Sequence, residues 1–135
     1  LFGIGTNDDV VWSTDQERFW VEPDEYRKNL VKLFAQGKKY TKNVAFISLQ
    51  PVDERKTDPS PWDPSASYLE KNILKYQQIL EDVCREVGAP LIDVYTPMAK
   101  EDLDLVLADG LHPNDYGHEI IFKQVFEFLK KEKWI

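Results

Sequence analysis

The sequence has little of several features that mark particular protein classes. It contains one cysteine, Cys84, so no disulfide can form within the chain and a cluster of thiolate metal ligands is excluded. No apolar run is long enough to span a bilayer. The sequence also has no basic segment followed by an apolar stretch, the pattern typical of a secretion signal. These observations leave the cellular compartment and the oligomeric state open.

Positive charge is also scarce. The chain has 17 Lys and Arg against 24 Asp and Glu, which gives a formal net charge of -7. Nucleic-acid-binding proteins normally present a basic surface to the phosphate backbone, so we expect no nucleic-acid partner. The apolar share of 42% suits a packed core, and 135 residues suit one domain.

The hydrophobic pattern predicts strands that alternate with helices. Short runs of apolar and β-branched residues predict buried strands at residues 1–4, 43–49 and 90–95. Helical spacing predicts three amphipathic helices; Pro23, Ser67 and Asn114 mark their starts, and Gly37 and Gly88 end the first two. Residues 51–66 hold four of the eight prolines and predict a loop. The alternation predicts a single α/β domain with a parallel sheet covered by helices on both faces.

Polar residues follow the predicted strands, at the sheet edge where α/β proteins bind ligands. Asp109 and His112 come after the third strand, and the carboxylate could fix the imidazole tautomer and leave the other ring nitrogen as a general base. Asn7 comes after the first strand, and its amide is a neutral donor suited to an oxyanion. Ordinary turns also favour Asn and Asp, so each pattern alone leaves both interpretations open.

Together these segments resemble a known family. Gly5-Thr6-Asn7-Asp8 is similar to the third sequence block of SGNH/GDSL hydrolases, and Asp109-Gly110-Leu111-His112-Pro113-Asn114 is similar to the fifth. The resemblance covers essentially the whole chain and implies a three-layer α/β/α sandwich with a flavodoxin-like parallel sheet. It implies that His112 is the base, that Asp109 orients it, and that Asn7, supported by Gly5, donates to the oxyanion. The implied activity is hydrolysis of a lipid, sugar or other small carboxylic ester, with no metal or organic cofactor.

The sequence departs from the family in two respects. The Gly-Asp-Ser block that carries the nucleophile does not occur, and none of the five serines stands in such a context. The second block of the family, a glycine whose N–H joins the oxyanion hole, does not occur either. We therefore expect the serine to lie upstream of Leu1, and the chain to be the C-terminal two-thirds of a single domain truncated at its N-terminus. The segment alone is then expected to be inactive.

Two alternative functions remain at this stage. Asp8, Asp9, Asp109 and His112 could serve as ligands in a metal-dependent phosphoesterase. The chain could also be a non-catalytic, flavodoxin-like binding module whose turns happen to carry these residues.

Further residues invite smaller predictions. Thr6, Trp12 and Trp62 are candidates for a substrate pocket, although packing under a long loop explains the tryptophans equally well. We expect His118 to be exposed or locally bonded, and Asp93 to bond nearby backbone.

Overall fold

The computed structural model describes all residues from 1 to 135. In chain order its elements are β1 (Phe2–Gly3), β2 (Val11–Trp12), β3 (Asp15–Phe19), α1 (Pro23–Gly37), β4 (Phe46–Ile47), α2 (Glu54–Thr57), β5 (Ala66–Ser67), α3 (Glu70–Val87), β6 (Leu91–Ile92), α4 (Tyr95–Met98), α5 (Leu103–Val106) and α6 (Asp115–Lys131). A central sheet has the order β1-β4-β6, and both of its strand pairs are parallel.

Helices cover both faces of this parallel sheet. Side chains alternate along β4, as they must in a strand. Phe46 packs into the larger core with residues of α1 and α3, whereas its neighbours Ala45 and Ile47 belong to a second cluster with α6. The predicted α/β fold with three layers is therefore confirmed. No helix of the structure is both long and apolar enough to cross a membrane.

The predicted helix boundaries agree with the structure at most ends. Pro23 occupies the first turn of α1, Asn114 caps α6, and Gly88 closes α3 in the left-handed conformation. The prediction that Ser67 caps α3 is wrong. Ser67 lies in β5 and donates its hydroxyl to Asp58, while Glu54 Oε2 accepts the first amide of α3 at 3.1 Å.

A second, antiparallel sheet was not predicted. It has the order β3-β2-β5 and joins residues near the N-terminus to the end of the segment 51–66, which also contains α2. The prediction of a loop throughout this segment is therefore wrong. β2 and β5 have two residues each, and the pairing of β2 with β3 is irregular, so neither strand shows a periodicity that sequence can reveal.

The predicted third strand is also shorter than expected, because β6 ends at Ile92 and Tyr95 already begins α4. Asp93 follows the strand, is exposed, and accepts the Thr96 amide at 2.9 Å. This is the expected bond to nearby backbone.

Candidate active site

Asn7 lies at the exposed tip of a tight turn that follows β1. The Gly5 carbonyl accepts the amides of Asp8 and Asp9 at 2.8 and 3.2 Å, which closes the turn. Gly5 has a φ of +130°, and a Cβ there would lie 2.5 Å from the hydroxyl oxygen of Tyr26. Only glycine fits this position, because any other residue would be strained and would clash with Tyr26.

The Asn7 amide is held by an aromatic side chain that the sequence did not single out. The hydroxyl of Tyr68 donates to Asn7 Oδ1 at 3.4 Å. Because the carbonyl oxygen is engaged, Nδ2 is the part of the amide that can donate to a ligand. Tyr68 therefore presents Asn7 as a hydrogen-bond donor.

Asp109 and His112 form the predicted pair. Asp109 Oδ2 lies 2.8 Å from His112 Nδ1, and its other oxygen accepts the backbone amides of Leu111 and His112 at 3.0 and 2.8 Å. Burial alone would raise the pKa of Asp109, but these bonds outweigh it and hold the pKa below its usual value. The ionised carboxylate thus fixes the ring, and Nε2 remains available on a side chain that is 66% exposed.

The turn that carries this pair is anchored to the carboxyl end of β4 and to α2. The side-chain amide of Gln50 donates to the Leu111 carbonyl, and the Asp53 amide donates to the Gly110 carbonyl at 2.8 Å. Gly110 has a φ of +92°, and a Cβ there would lie 2.8 Å from Lys56 Cβ and 3.2 Å from the Asp53 carbonyl oxygen. The close approach of α2 requires glycine at this position.

We expect Gly110→Ala to lower the free energy of unfolding by about 3 kcal/mol, since backbone strain and a steric clash add together. Gly88→Ala is the matched control, because Gly88 also has a positive φ of +68° but no atom lies within 4 Å of its Cβ position. That variant should lose only about 1 kcal/mol. Urea unfolding of both variants tests this, and equal losses would contradict the steric role of α2.

Two aromatic rings connect Asn7 to His112. The ring centroid of Trp62 lies 6.1 Å from that of Tyr68 and 5.5 Å from that of His112. Since Tyr68 in turn contacts Asn7, the amide and the imidazole lie on the same side of the molecule, at the carboxyl end of the sheet. Residues separated by more than one hundred positions are thus connected through side-chain contacts.

Every serine hydroxyl of the chain has a structural hydrogen bond, and none of these bonds is to His112. The bonds join Ser13 to Pro64, Ser48 to Leu49, Val94 and Tyr95, Ser60 to Asp63, Ser65 to Asp63, and Ser67 to Asp58. Ser48 illustrates the pattern, because its oxygen accepts two amides at the end of β6 and fastens that strand to β4. No serine here is placed to act as a nucleophile.

The ligand set of the metal-dependent alternative does not assemble. No group of three or more His, Cys, Asp or Glu side chains has a geometry that could hold a metal ion. Asp9 is fully buried, and neither of its carboxylate oxygens has a hydrogen-bond partner. The arrangement gives the metal-dependent hypothesis no support.

Of the predicted pocket residues, Thr6 lines a cavity of about 400 Å³ beside Asn7. Asn7 and Gln50 also line this cavity, whereas Trp12, Trp62 and His112 do not. Trp62 instead packs against His112, and Trp12 lies in β2 with 36% of its surface exposed. His118 is exposed on α6, as predicted.

Comparisons with known proteins identify the family of this chain and its fold. The family model of GDSL-like lipase/acylhydrolases matches residues 1–120. A GDSL esterase/lipase, WDL1, of Oryza sativa subsp. japonica is 24% identical over 137 residues, which cover 97% of this chain and 53% of the relative. The chain therefore spans about half the length of that relative.

Solved structures show the same fold. A lipase/acylhydrolase from Enterococcus faecalis superimposes with a TM-score of 0.75 at 21% identity, over 96% of this chain and 60% of that protein. An acetylxylan esterase from Geobacillus stearothermophilus superimposes with a TM-score of 0.66 at 20% identity, over 95% of this chain and 56% of that protein. With the family model matching most of its length, the chain belongs to the GDSL-like lipase/acylhydrolase family.

Proposed function

We propose that this chain supplies the base and the oxyanion donor of a serine ester hydrolase. The observation that carries the proposal is the connected set of contacts from the Asp109–His112 pair through Trp62 and Tyr68 to Asn7. An imidazole held by a carboxylate and a free amide donor on one side of the molecule are the two groups that ester hydrolysis needs besides a nucleophile.

In the proposed reaction, a serine hydroxyl attacks the ester carbonyl carbon and His112 Nε2 takes its proton. The carbonyl oxygen becomes an oxyanion, to which Asn7 Nδ2 donates a hydrogen bond. When the tetrahedral intermediate collapses, the ester C–O bond breaks and the leaving alcohol takes the proton from His112. Water then hydrolyses the acyl-enzyme, with His112 again as the base.

We propose that the serine comes from residues that precede Leu1. β1 is hydrogen-bonded to β4 alone, so its other edge is open directly beside the turn that carries Asn7. A strand paired there in parallel would end at the same edge of the sheet, next to Asn7 and His112. Residues 1–135 alone should then hydrolyse no ester.

Labelling with an active-serine fluorophosphonate tests the proposal. In the full natural polypeptide that contains this chain, mass spectrometry should find one labelled serine, located before Leu1, and labelling should stop p-nitrophenyl acetate hydrolysis. Residues 1–135 alone should remain unlabelled. A label on one of the five serines of this chain would overturn the upstream location, and hydrolysis that survives labelling would overturn the serine mechanism.

We expect Asn7→Ala to lower kcat by about 100-fold, the usual effect of removing one oxyanion donor, with little change in KM. Asn43→Ala is the matched control, because Asn43 precedes β4 and so lies at the end of the sheet opposite to Asn7, which follows β1. Steady-state hydrolysis of p-nitrophenyl acetate by the full natural polypeptide measures both variants. A loss confined to KM would show that Asn7 binds substrate without stabilising the transition state.

A further inference from the structure

A long stretch of the chain has basic residues and no acidic ones. Residues 26–52 contain Arg27 and five lysines, whereas all 24 Asp and Glu residues of the chain lie outside this stretch. The five lysines are exposed, and they are Lys28, Lys32, Lys38, Lys39 and Lys42. The proposed mechanism uses none of them. Within a chain of net charge -7, such a stretch indicates a surface whose sign is opposite to that of the rest of the molecule.

α1 and the turn after it place these lysines on one continuous surface. Lys28, Lys32 and Lys39 are spaced by four and seven residues, so they project from one side of the helix over about 16 Å. The Lys38 ammonium donates to the Lys42 carbonyl at 2.8 Å, which holds the turn beside the end of α1. The helical spacing and this hydrogen bond together make the surface a local feature of one segment.

The five lysines and Tyr40 form a basic face whose charges are not neutralised within the protein. None of the five lysines belongs to an ion pair, whereas Arg27 pairs with Glu86 of α3. Tyr40 lies among the lysines with 87% of its surface exposed, the largest exposed fraction of any large hydrophobic side chain. The ammonium groups and the tyrosine ring are therefore available to a partner.

The end of α1 lies away from the candidate active site. α1 connects β1 to β4, and these strands are parallel neighbours, so α1 ends where β4 begins. The contacts of Gly37 agree, because a Cβ there would lie 3.1 Å from the Phe2 ring and 3.3 Å from Val44. Asn7 and His112 follow the carboxyl ends of the strands, at the opposite end of the sheet. A partner bound to the turn after α1 therefore leaves the active site uncovered.

The form of the basic face suits an extended anionic surface better than a small anion. A site for a small anion needs donors that converge, and arginine supplies them better than the flexible point charge of lysine. The cavity that Lys28 and Lys32 line also contains Asp24, which disfavours an anion there. An anionic bilayer, in contrast, attracts each ammonium group near its surface without any pocket.

The exposed tyrosine favours a bilayer over a soluble polyanion. Tyrosine is typical of the boundary between lipid headgroups and acyl chains, because its ring is apolar and its hydroxyl is polar. Tyr40 has this surrounding of charges on both sides, with Lys39 before it and Lys42 two residues after it. The acidic residues lie outside residues 26–52, and salt screens their repulsion at distances above about 10 Å.

We propose that the basic face docks this protein on membranes that contain anionic phospholipids. The lysines of the turn after α1 lie over the headgroups, and Tyr40 enters the headgroup layer. The candidate active site then faces away from the bilayer, so the docked lipids are not the substrate. This docking goes beyond the proposed ester hydrolysis and does not depend on it.

Co-sedimentation with vesicles tests the proposal on the full natural polypeptide. Vesicles of phosphatidylcholine with about 30% phosphatidylserine should bind it in about 0.1 M NaCl, and vesicles of phosphatidylcholine alone should not. A variant that combines Lys38→Gln, Lys39→Gln and Lys42→Gln should bind the anionic vesicles about 100-fold more weakly, because each lysine near an anionic bilayer contributes a factor of about five. Circular dichroism confirms that the variant is folded.

The matched control combines Lys71→Gln, Lys100→Gln and Lys123→Gln. These lysines are also exposed but lie outside the basic face, so the control changes the net charge by the same amount. It should bind the anionic vesicles as the unmodified protein does. Tyr40→Ala changes no charge and should weaken binding several-fold. Equal losses in the two triple variants, or equal binding to both kinds of vesicle, would overturn the proposal.

Two further measurements distinguish other occupants of the basic face. Retention on heparin, together with no binding to the anionic vesicles, would assign the face to a soluble polyanion and overturn membrane docking. A dimer in analytical ultracentrifugation that the basic-face triple variant abolishes would assign the face to a second copy of the protein and likewise overturn membrane docking. Vesicle binding requires no catalytic step, so none of these outcomes depends on the serine mechanism.

Discussion

Replacing His112 by alanine is expected to lower kcat for ester hydrolysis by about 10⁴-fold, since no other group in the site can take the proton of the nucleophile. The imidazole is the one ring that combines an ionised partner at 2.8 Å with a second nitrogen open to solvent. The side chain is 66% exposed, so its removal should change the free energy of unfolding little. Hydrolysis of p-nitrophenyl acetate by the full natural polypeptide, together with urea unfolding, measures both quantities.

His118→Ala is the matched control for this variant. His118 is the only other histidine, is exposed on α6, and has no carboxylate partner. Its replacement should leave kcat within about twofold of the unmodified protein, as is usual for a surface residue that makes no specific contact. If both variants lost activity equally, or if neither did, His112 could not be the general base.

The positions of Asn7 and His112 could be predicted because they depend on simple rules of α/β folds. Each residue follows a strand of the parallel sheet, and parallel strands end at one edge. Asp109 was predictable for a local reason, since a carboxylate three residues before a histidine within a glycine-containing turn can reach the ring. The parts of the site that the sequence could predict are therefore those whose positions depend on short-range contacts or on the topology of the sheet.

The contacts that join these residues could not be predicted in the same way. Tyr68 and Trp62 come from the segment between α2 and α3, whose path depends on the pairing of β5 with β2. Strands of two residues show no periodicity, and the capping of α3 by Glu54 rather than by Ser67 is a tertiary effect. The role of Gln50 could not be predicted either, because it depends on the position of Leu111, 61 residues later.

Asp9 differs from every other carboxylate of the chain. It is completely buried, and neither oxygen accepts a hydrogen bond. Burial, and next the negative charges of Asp8 and Glu70, raise its pKa to about 9, and Tyr26, Tyr68 and Tyr76 also lie near it. The folded protein at neutral pH therefore keeps Asp9 protonated, two residues after Asn7.

Asp9→Asn is accordingly expected to stabilise the protein more strongly as the pH rises. The pKa of Asp9 is about 9 in the folded protein, against the ordinary aspartate value of 3.8 in the unfolded chain, so between these values the folded state holds a proton that the unfolded state has lost. The contribution of Asp9 to the free energy of unfolding therefore falls by about 1.4 kcal/mol for each unit by which the pH rises. Replacement of Asp9 by asparagine removes this dependence on pH. Urea unfolding should find the advantage of Asp9→Asn about 3 kcal/mol larger at pH 7 than at pH 5.

The exposed residue Asp15 supplies the control for this comparison, since Asp15→Asn should give the same difference from the unmodified protein at both pH values. An advantage of Asp9→Asn that did not change with pH would mean that Asp9 is ionised in the folded protein and has a partner.

The protonation of Asp9 also affects the candidate active site, because Asp9 belongs to the turn closed by the Gly5 carbonyl. Ionisation of a buried, unpartnered carboxylate in that turn would disturb the same backbone that positions the Asn7 amide. Alkaline loss of activity that Asp9→Asn relieves would connect the stability of this turn to catalysis.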